Sequence, residues 1–323
     1  MFKKKLGFLA AVMVLLSLVG YVVCLLAGGT KQLNKEDDFL LVTSFYPMYV
    51  LAENLTDGVE GITVSNLTEN QTGCLHDYQL TSGDMKLLST ADAFLINGAG
   101  MELFVGKVLD NYEELPLIEA SHGITLLEGV VHDHAHEEAV NAEESHDHEE
   151  EEHLHAENGH VWMDVELYRV QLDTVKAELL RLLPEQADVL EISAERYDAE
   201  LQKLSEQIEA MKPMTEGQYV VVFHEAFAYL ANSLGMEVLM MLSLDEETVP
   251  SAGEIAEVIE EIKHHGYALI LIEEAYAEHA EKILAETDAE VVYLNPLTTG
   301  DSAEDSYITG MRNNLEAIQS KVE

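Results

Sequence analysis

Cysteine is nearly absent from this chain: two residues in 323, Cys24 and Cys74. If Cys24 is lipidated or left in a membrane, no intramolecular disulfide can form, and the fold must rest on its apolar core. Basic residues are scarce as well, with 17 Lys and Arg against 61 Asp and Glu, for a formal net charge of −44. A surface this acidic repels nucleic acid and anionic lipid headgroups and gathers cations. Acidity also serves solubility alone, and charge by itself does not separate the two. The H-E-x-x-H signature of zinc hydrolases is missing. Glu225, beside His224, is the nearest thing to a general base, and adjacent residues on a helix point in different directions. Large apolar residues are missing from one long stretch, His132 to Glu157, apart from Val140 and Leu154. That stretch cannot bury enough surface to offset the entropy of ordering, so disorder is expected there in the absence of metal.

What the stretch does contain is histidine and carboxylate. Seven of the 14 histidines fall in it: His132, His134, His136, His146, His148, His153 and His155. Imidazole and carboxylate are the side chains with which proteins hold divalent transition metals. The question is whether this run is the metal site or stands beside it.

The N-terminus points out of the cytoplasm. Lys3-Lys4-Lys5 precede an uncharged apolar run from Leu6 to Ala27, the pattern of an export signal and also long enough for an anchor. Cys24 near its end resembles the lipid-attachment site of bacterial lipoproteins, although Val23 stands where those usually have a small residue. The expectation is a signal or anchor over 1–27 and a polar linker over 28–38, leaving the folded part outside the cytoplasm and tethered to a membrane.

Beyond the linker, apolar runs of strand length alternate with helical spacing. Strands are predicted at Phe39–Phe45, Ile62–Leu67, Ala93–Asn97, Leu115–Glu119 and Ile124–Glu128. Helices are expected at Met48–Thr56, Gly83–Ser89 and Met101–Asn111. Unbroken apolar strands of this kind belong to parallel sheet buried on both faces. Val165–Leu183 is an amphipathic helix with Leu167, Val170, Leu172, Val175, Leu179 and Leu182 near one stripe. Pro184 opens a second, closed by Pro213, with Leu190, Tyr197, Leu201, Leu204 and Ile208 at helical spacing. The alternation then resumes, with strands at Tyr219–Phe223, Val238–Leu242, Ala268–Ile272 and Val291–Leu294. Helices lie between at Glu225–Leu234, Glu254–His264 (with a Ser251/Glu254 capping box) and Ala277–Glu286, and Tyr307–Lys321 closes the chain. The fold class is α/β: two lobes, each with a central, mostly parallel sheet, joined by a long rigid helix. The bounds are 39–183 for the first lobe, with a disordered loop at 130–158, then 184–212 for the linking helix and 213–323 for the second lobe.

Three histidines share a context the others lack. His76 lies between a strand and a helix, His160 opens the helix after the acidic run, and His224 directly follows the strand Tyr219–Phe223. Open α/β sheets bind ligands at such positions. Three neutral imidazoles converging from two lobes suit Zn²⁺ first, other first-row ions next. His122, His264, His265 and His279 read as solvated, Cys74 as a small core residue, and Trp162, the only tryptophan, as packing beside the site.

The order of short motifs is similar to that of the metal-binding solute-binding proteins of ABC transporters, in the zinc-uptake branch. The resemblance runs from Thr43-Ser-Phe-Tyr-Pro-Met-Tyr49 to Asp305-Ser-Tyr307. It includes His76-Asp-Tyr78, Asn97-Gly-Ala-Gly100, His160-Val-Trp-Met-Asp164, Phe223-His-Glu-Ala-Phe-Ala-Tyr229 and Leu294-Asn-Pro-Leu297. It implies metal between two lobes, held by His76, His160 and His224, and a His-rich acidic loop before the second ligand is typical of that branch; the run itself reads as an accessory low-affinity collector, against a solvated disordered loop. Where some relatives supply a carboxylate, this chain has Thr298, so the fourth donor is Asp301 or water, with Glu273 a weaker choice. The resemblance further implies Zn²⁺ as transported ligand, no organic cofactor, and no enzyme. The expected partners are an ABC permease with its ATPase and a membrane reached through a lipid or anchor; the protein is a monomer that binds no nucleic acid. The competing readings are an importer component for manganese or another divalent metal, an extracytoplasmic metal buffer, and a His₃ zinc hydrolase.

Overall fold

The computed structural model describes residues 38–68, 78–129, 157–242, 249–300 and 305–322. The chain divides into two units, Met1–Asp38 and Phe39–Glu323, and the fold is that of the second. Cys24 and the predicted signal or anchor, Cys74, and the seven histidines of the acidic run lie outside the described residues.

Strands β1 (Phe39–Thr43), β2 (Ile62–Asn66), β3 (Ala93–Ile96) and β4 (Leu117–Glu119) form a wholly parallel sheet in the order β2-β1-β3-β4. Its helices are α1 (Tyr46–Thr56), α2 (Ser82–Leu88) and α3 (Val105–Asn111). A short antiparallel ribbon, β5 (Leu127–Glu128) with β6 (Glu157–Asn158), brackets the His-rich segment. Two long helices follow, α4 (Val165–Leu182) and α5 (Ala187–Thr215). The second sheet comprises β7 (Tyr219–Val222), β8 (Glu237–Met241), β9 (Leu269–Ile272) and β10 (Glu290–Tyr293), all parallel, in the order β10-β9-β7-β8. Helices α6 (Ala226–Ser233), α7 (Ala252–His265), α8 (Glu281–Glu286) and α9 (Ser306–Val322) complete it.

Both sheets have one topology: the lobe's first strand lies between its second and third, and the fourth lies beyond the third. The direction of winding therefore reverses between β1 and β3, and again between β7 and β9. These are the crevices where such sheets receive ligands.

Burial explains why the strands read as unbroken apolar runs. Along β3, Ala93 and Leu95 join the main core while Phe94 and Ile96 face a second cluster under α2 and α3. Along β9, Leu269 and Leu271 face the main core while Ile270 and Ile272 pack with Ile255, Val258 and Ile262 of α7. Side chains alternate across a sheet, so a strand covered on both faces must be apolar at every position. The main core is continuous between the lobes. It holds Leu41 of the first sheet, Val220 of the second, and the inner faces of α4, α5 and α9. At its centre Tyr168 of α4 stacks on Tyr307 of α9, with ring centres 4.1 Å apart.

Several boundaries depart from sequence expectation. Helix α1 begins at Tyr46 because Pro47 falls in its first turn, where the missing N–H costs nothing. Helix α5 runs through Pro213 to Thr215, whose hydroxyl donates to Leu234 O at 2.7 Å and ties the helix end to the second lobe. The predicted helix from Met101 starts only at Val105, because Glu102 turns inward to the preceding loop. Val170 is 44% exposed and leaves the buried stripe of α4. The strand from Ile124 shrinks to Leu127–Glu128, and the first four residues of Ala277–Glu286 belong to a 3-10 turn that precedes α8. Glu157 and Asn158, assigned from sequence to the disordered loop, are strand. The Ser251/Glu254 capping box is present as expected.

Candidate metal centre

A tight loop stands at the first sheet's winding reversal. Asn97-Gly98-Ala99-Gly100 follows β3 with φ of 77°, 53° and 79° at the last three residues. Glu102 turns back to hold it, accepting from Asn97 N–H at 2.7 Å, Gly98 N–H at 3.0 Å and the Ser44 hydroxyl at 2.7 Å. Burial pushes the Glu102 carboxyl up to about 7, against the pull of these donors.

This loop supports the residue before His160. Asn97 Nδ2 donates to Gly159 O at 2.9 Å. A Cβ on Gly159 would stand 2.7 Å from Ala99 O, so only glycine allows the approach. His160 then emerges into the junction, buried, its ring centre 5.1 Å from that of Trp162. Trp162 lies fully buried in the 3-10 turn Val161–Met163, beside the site as expected. Asp164 caps α4 by accepting from Glu166 N–H and Leu167 N–H.

At the second reversal, His224 follows β7 and Glu273 follows β9, and the neighbouring strand ends bring them together. His224 Nδ1 is 2.9 Å from Glu273 Oε1. His160 Nδ1 is 2.9 Å from Asn158 Oδ1. A carboxylate only accepts, so the His224 proton sits on Nδ1. Asn158 Oδ1 also accepts from the His160 backbone N–H at 3.0 Å, which identifies that atom as the oxygen and gives His160 the same tautomer. In the neutral form of each ring the lone pair then lies on Nε2.

The two rings stand 5.0 Å apart at 84°. Imidazoles bonded to one tetrahedral Zn²⁺ at about 2.0–2.1 Å have centres about 5 Å apart. The donor set and spacing thus fit a borderline-soft ion. His76 and Asp301, named from sequence as third and possible fourth donors, lie outside the described residues. Among the described residues no three His, Cys, Asp or Glu side chains make a complete metal site. The remaining histidines among the described residues stand elsewhere. His122 is exposed in the turn after β4, His264 and His265 end α7, and His279 lies in the 3-10 turn before α8. Sequence reasoning missed Asn158 and Glu102. Neither belongs to a residue pattern that announces a role, and each is identified by what it faces.

Two parallel sheets of one topology, a continuous linking helix and histidines meeting between them define a two-lobed solute-binding protein. The chain belongs to the family of zinc-uptake complex component A, periplasmic, whose model matches residues 41–321. It is a family of uptake-complex components. Among its relatives, the zinc-binding protein AdcA of Streptococcus pyogenes serotype M3 is 28% identical over 317 residues, 95% of this chain and 61% of that protein. The chain thus spans about three fifths of that relative's length. The high-affinity zinc uptake system protein ZnuA of Bacillus subtilis is 29% identical over 299 residues, covering 90% of this chain and 89% of that one. Among solved structures, the metal-dependent lipoprotein YcdH of Bacillus subtilis superposes with TM-score 0.70 at 25% identity, over 88% of this chain and 98% of that one. Zn(II)-bound AdcA of Streptococcus pneumoniae gives 0.69 at 25% identity, over 88% and 58%.

Proposed function

We propose that this protein captures extracytoplasmic Zn²⁺ between its two lobes and delivers it to an ABC permease driven by its ATPase. The observation that carries this reading is the His160–His224 pair, two imidazoles from different lobes whose Nδ1 atoms are both taken by oxygen acceptors. His76 is the third donor. The fourth is Asp301 or a water; Glu273 is the weakest choice, because its Oε1 is engaged with His224. The zinc-uptake names of the relatives and the zinc bound in the AdcA structure support the choice of ion. A lipid on Cys24, or the N-terminal run itself, holds the protein at the membrane, and it works as a monomer. The lipoprotein names among its relatives agree with the anchor.

The His-rich run serves as an accessory collector of weakly held ions. Ribbon β5–β6 pairs residues on either side of it in the chain, and β6 ends two residues before His160. The run's ions are held less tightly than the ion between the lobes. The test is His160→Ala in the otherwise intact protein, with Zn²⁺ affinity measured by competition against a chelator. Tight binding should vanish although all seven upstream histidines remain. Its retention would contradict the reading.

A further inference from the structure

Asn158 is 1% exposed, and its groups point to both lobes. Oδ1 accepts from the His160 backbone N–H at 3.0 Å and from His160 Nδ1–H at 2.9 Å. Nδ2 donates to the carbonyl oxygen of Glu225, the residue after His224, at 2.8 Å. Its backbone carbonyl accepts from the Tyr229 hydroxyl of α6 at 2.7 Å. The Tyr229 oxygen in turn accepts from Leu127 N–H at 3.1 Å, which ties in the other strand of the ribbon.

We infer that Asn158 is the positioning residue of the metal centre: its carboxamide fixes the tautomer of His160 and, through the Glu225 carbonyl, the placement of His160 against His224. This rests on the reading of His160 and His224 as metal donors. The chemistry requires an amide. The oxygen end meets two donors of His160, and the nitrogen end meets a main-chain carbonyl, which can only accept. Aspartate satisfies the first end and fails the second. Alanine fails both. Glutamine is a methylene too long for a buried site held at both ends. The two donors therefore differ in support: His224 leans on a carboxylate, whereas His160 leans on a neutral amide that also bridges the lobes. Loss of a group that orients a metal-binding imidazole typically costs about 10- to 100-fold in metal affinity.

The test uses the full chain and two variants, Asn158→Ala and Asn158→Asp. Nitrogen-15 NMR of the metal-free protein reads the His160 tautomer, and chelator competition reads Zn²⁺ affinity. The wild type and Asn158→Asp should carry the His160 proton on Nδ1. Asn158→Ala should shift it to Nε2 or to a mixture and lose about 10- to 100-fold in Zn²⁺ affinity. Asn158→Asp should fall between the two in affinity, keeping the tautomer and losing the bridge. An unchanged tautomer and affinity in a folded Asn158→Ala protein overturns the inference. Should that variant not fold, Asn158→Asp with wild-type affinity overturns the bridging role, and reduced affinity with the Nδ1 proton retained supports it. Wild-type affinity in His160→Ala would instead sink the metal reading, while the metal-free NMR result would still stand.

Discussion

The Trp162 indole N–H donates to the Pro296 carbonyl oxygen at 2.8 Å, joining the turn that carries His160 to the loop after β10. The Tyr307 hydroxyl of α9 closes the same joint by donating to Trp162 O at 2.6 Å. The lobes are therefore held by hydrogen bonds around the site as well as by α5 and the shared core. An opening that separates them must break these bonds first.

Trp162→Phe keeps most of the packing but leaves the Pro296 carbonyl without its donor. The expected cost is about 1–3 kcal/mol in urea unfolding. A change within a few tenths would show the bond to be dispensable. Because Trp162 is the only tryptophan, its fluorescence should respond to Zn²⁺ and recover with chelator.

Glu273→Ala leaves His224 without its acceptor and should lower Zn²⁺ affinity by about 10- to 100-fold. Glu273→Gln retains an oxygen that can accept from Nδ1–H and should lose less. Equal losses in the two variants would assign the effect to charge rather than orientation.

Glu102 gives a pH prediction. Its carboxyl is raised from 4.5 to about 7 by burial, so the folded protein binds this proton more tightly than the unfolded chain does. The stability it contributes is complete below pH 4.5 and is lost as pH rises through about 7. Zinc-free wild type should therefore lose about 3 kcal/mol more than Glu102→Gln between pH 4.5 and 8. Parallel stability curves for the two proteins would contradict this.

The strand–helix alternation was legible because strands covered on both faces must be apolar throughout, and the loops and prolines between them are polar or chain-breaking. Leu190, Tyr197, Leu201, Leu204 and Ile208, spaced for one helix face, are all buried along α5. His160 and His224 could be singled out by their places at strand ends and helix starts. Their partners could not. Asn158 sits beside a His- and Glu-rich run and reads as part of it until the fold sets its amide between His160 and Glu225. Glu102 reads as an ordinary helix residue until the positive φ angles of the Gly98–Gly100 loop create backbone donors that need an acceptor. Pro213 reads as a stop, yet packing and the Thr215 hydroxyl carry α5 two residues past it.

The most direct test is a calorimetric Zn²⁺ titration of protein lacking residues 132–155. One ion bound tightly, with only the weaker events removed, places the high-affinity site between the lobes at His160 and His224. Loss of all tight binding on this deletion would place the site in the His-rich run and contradict the account.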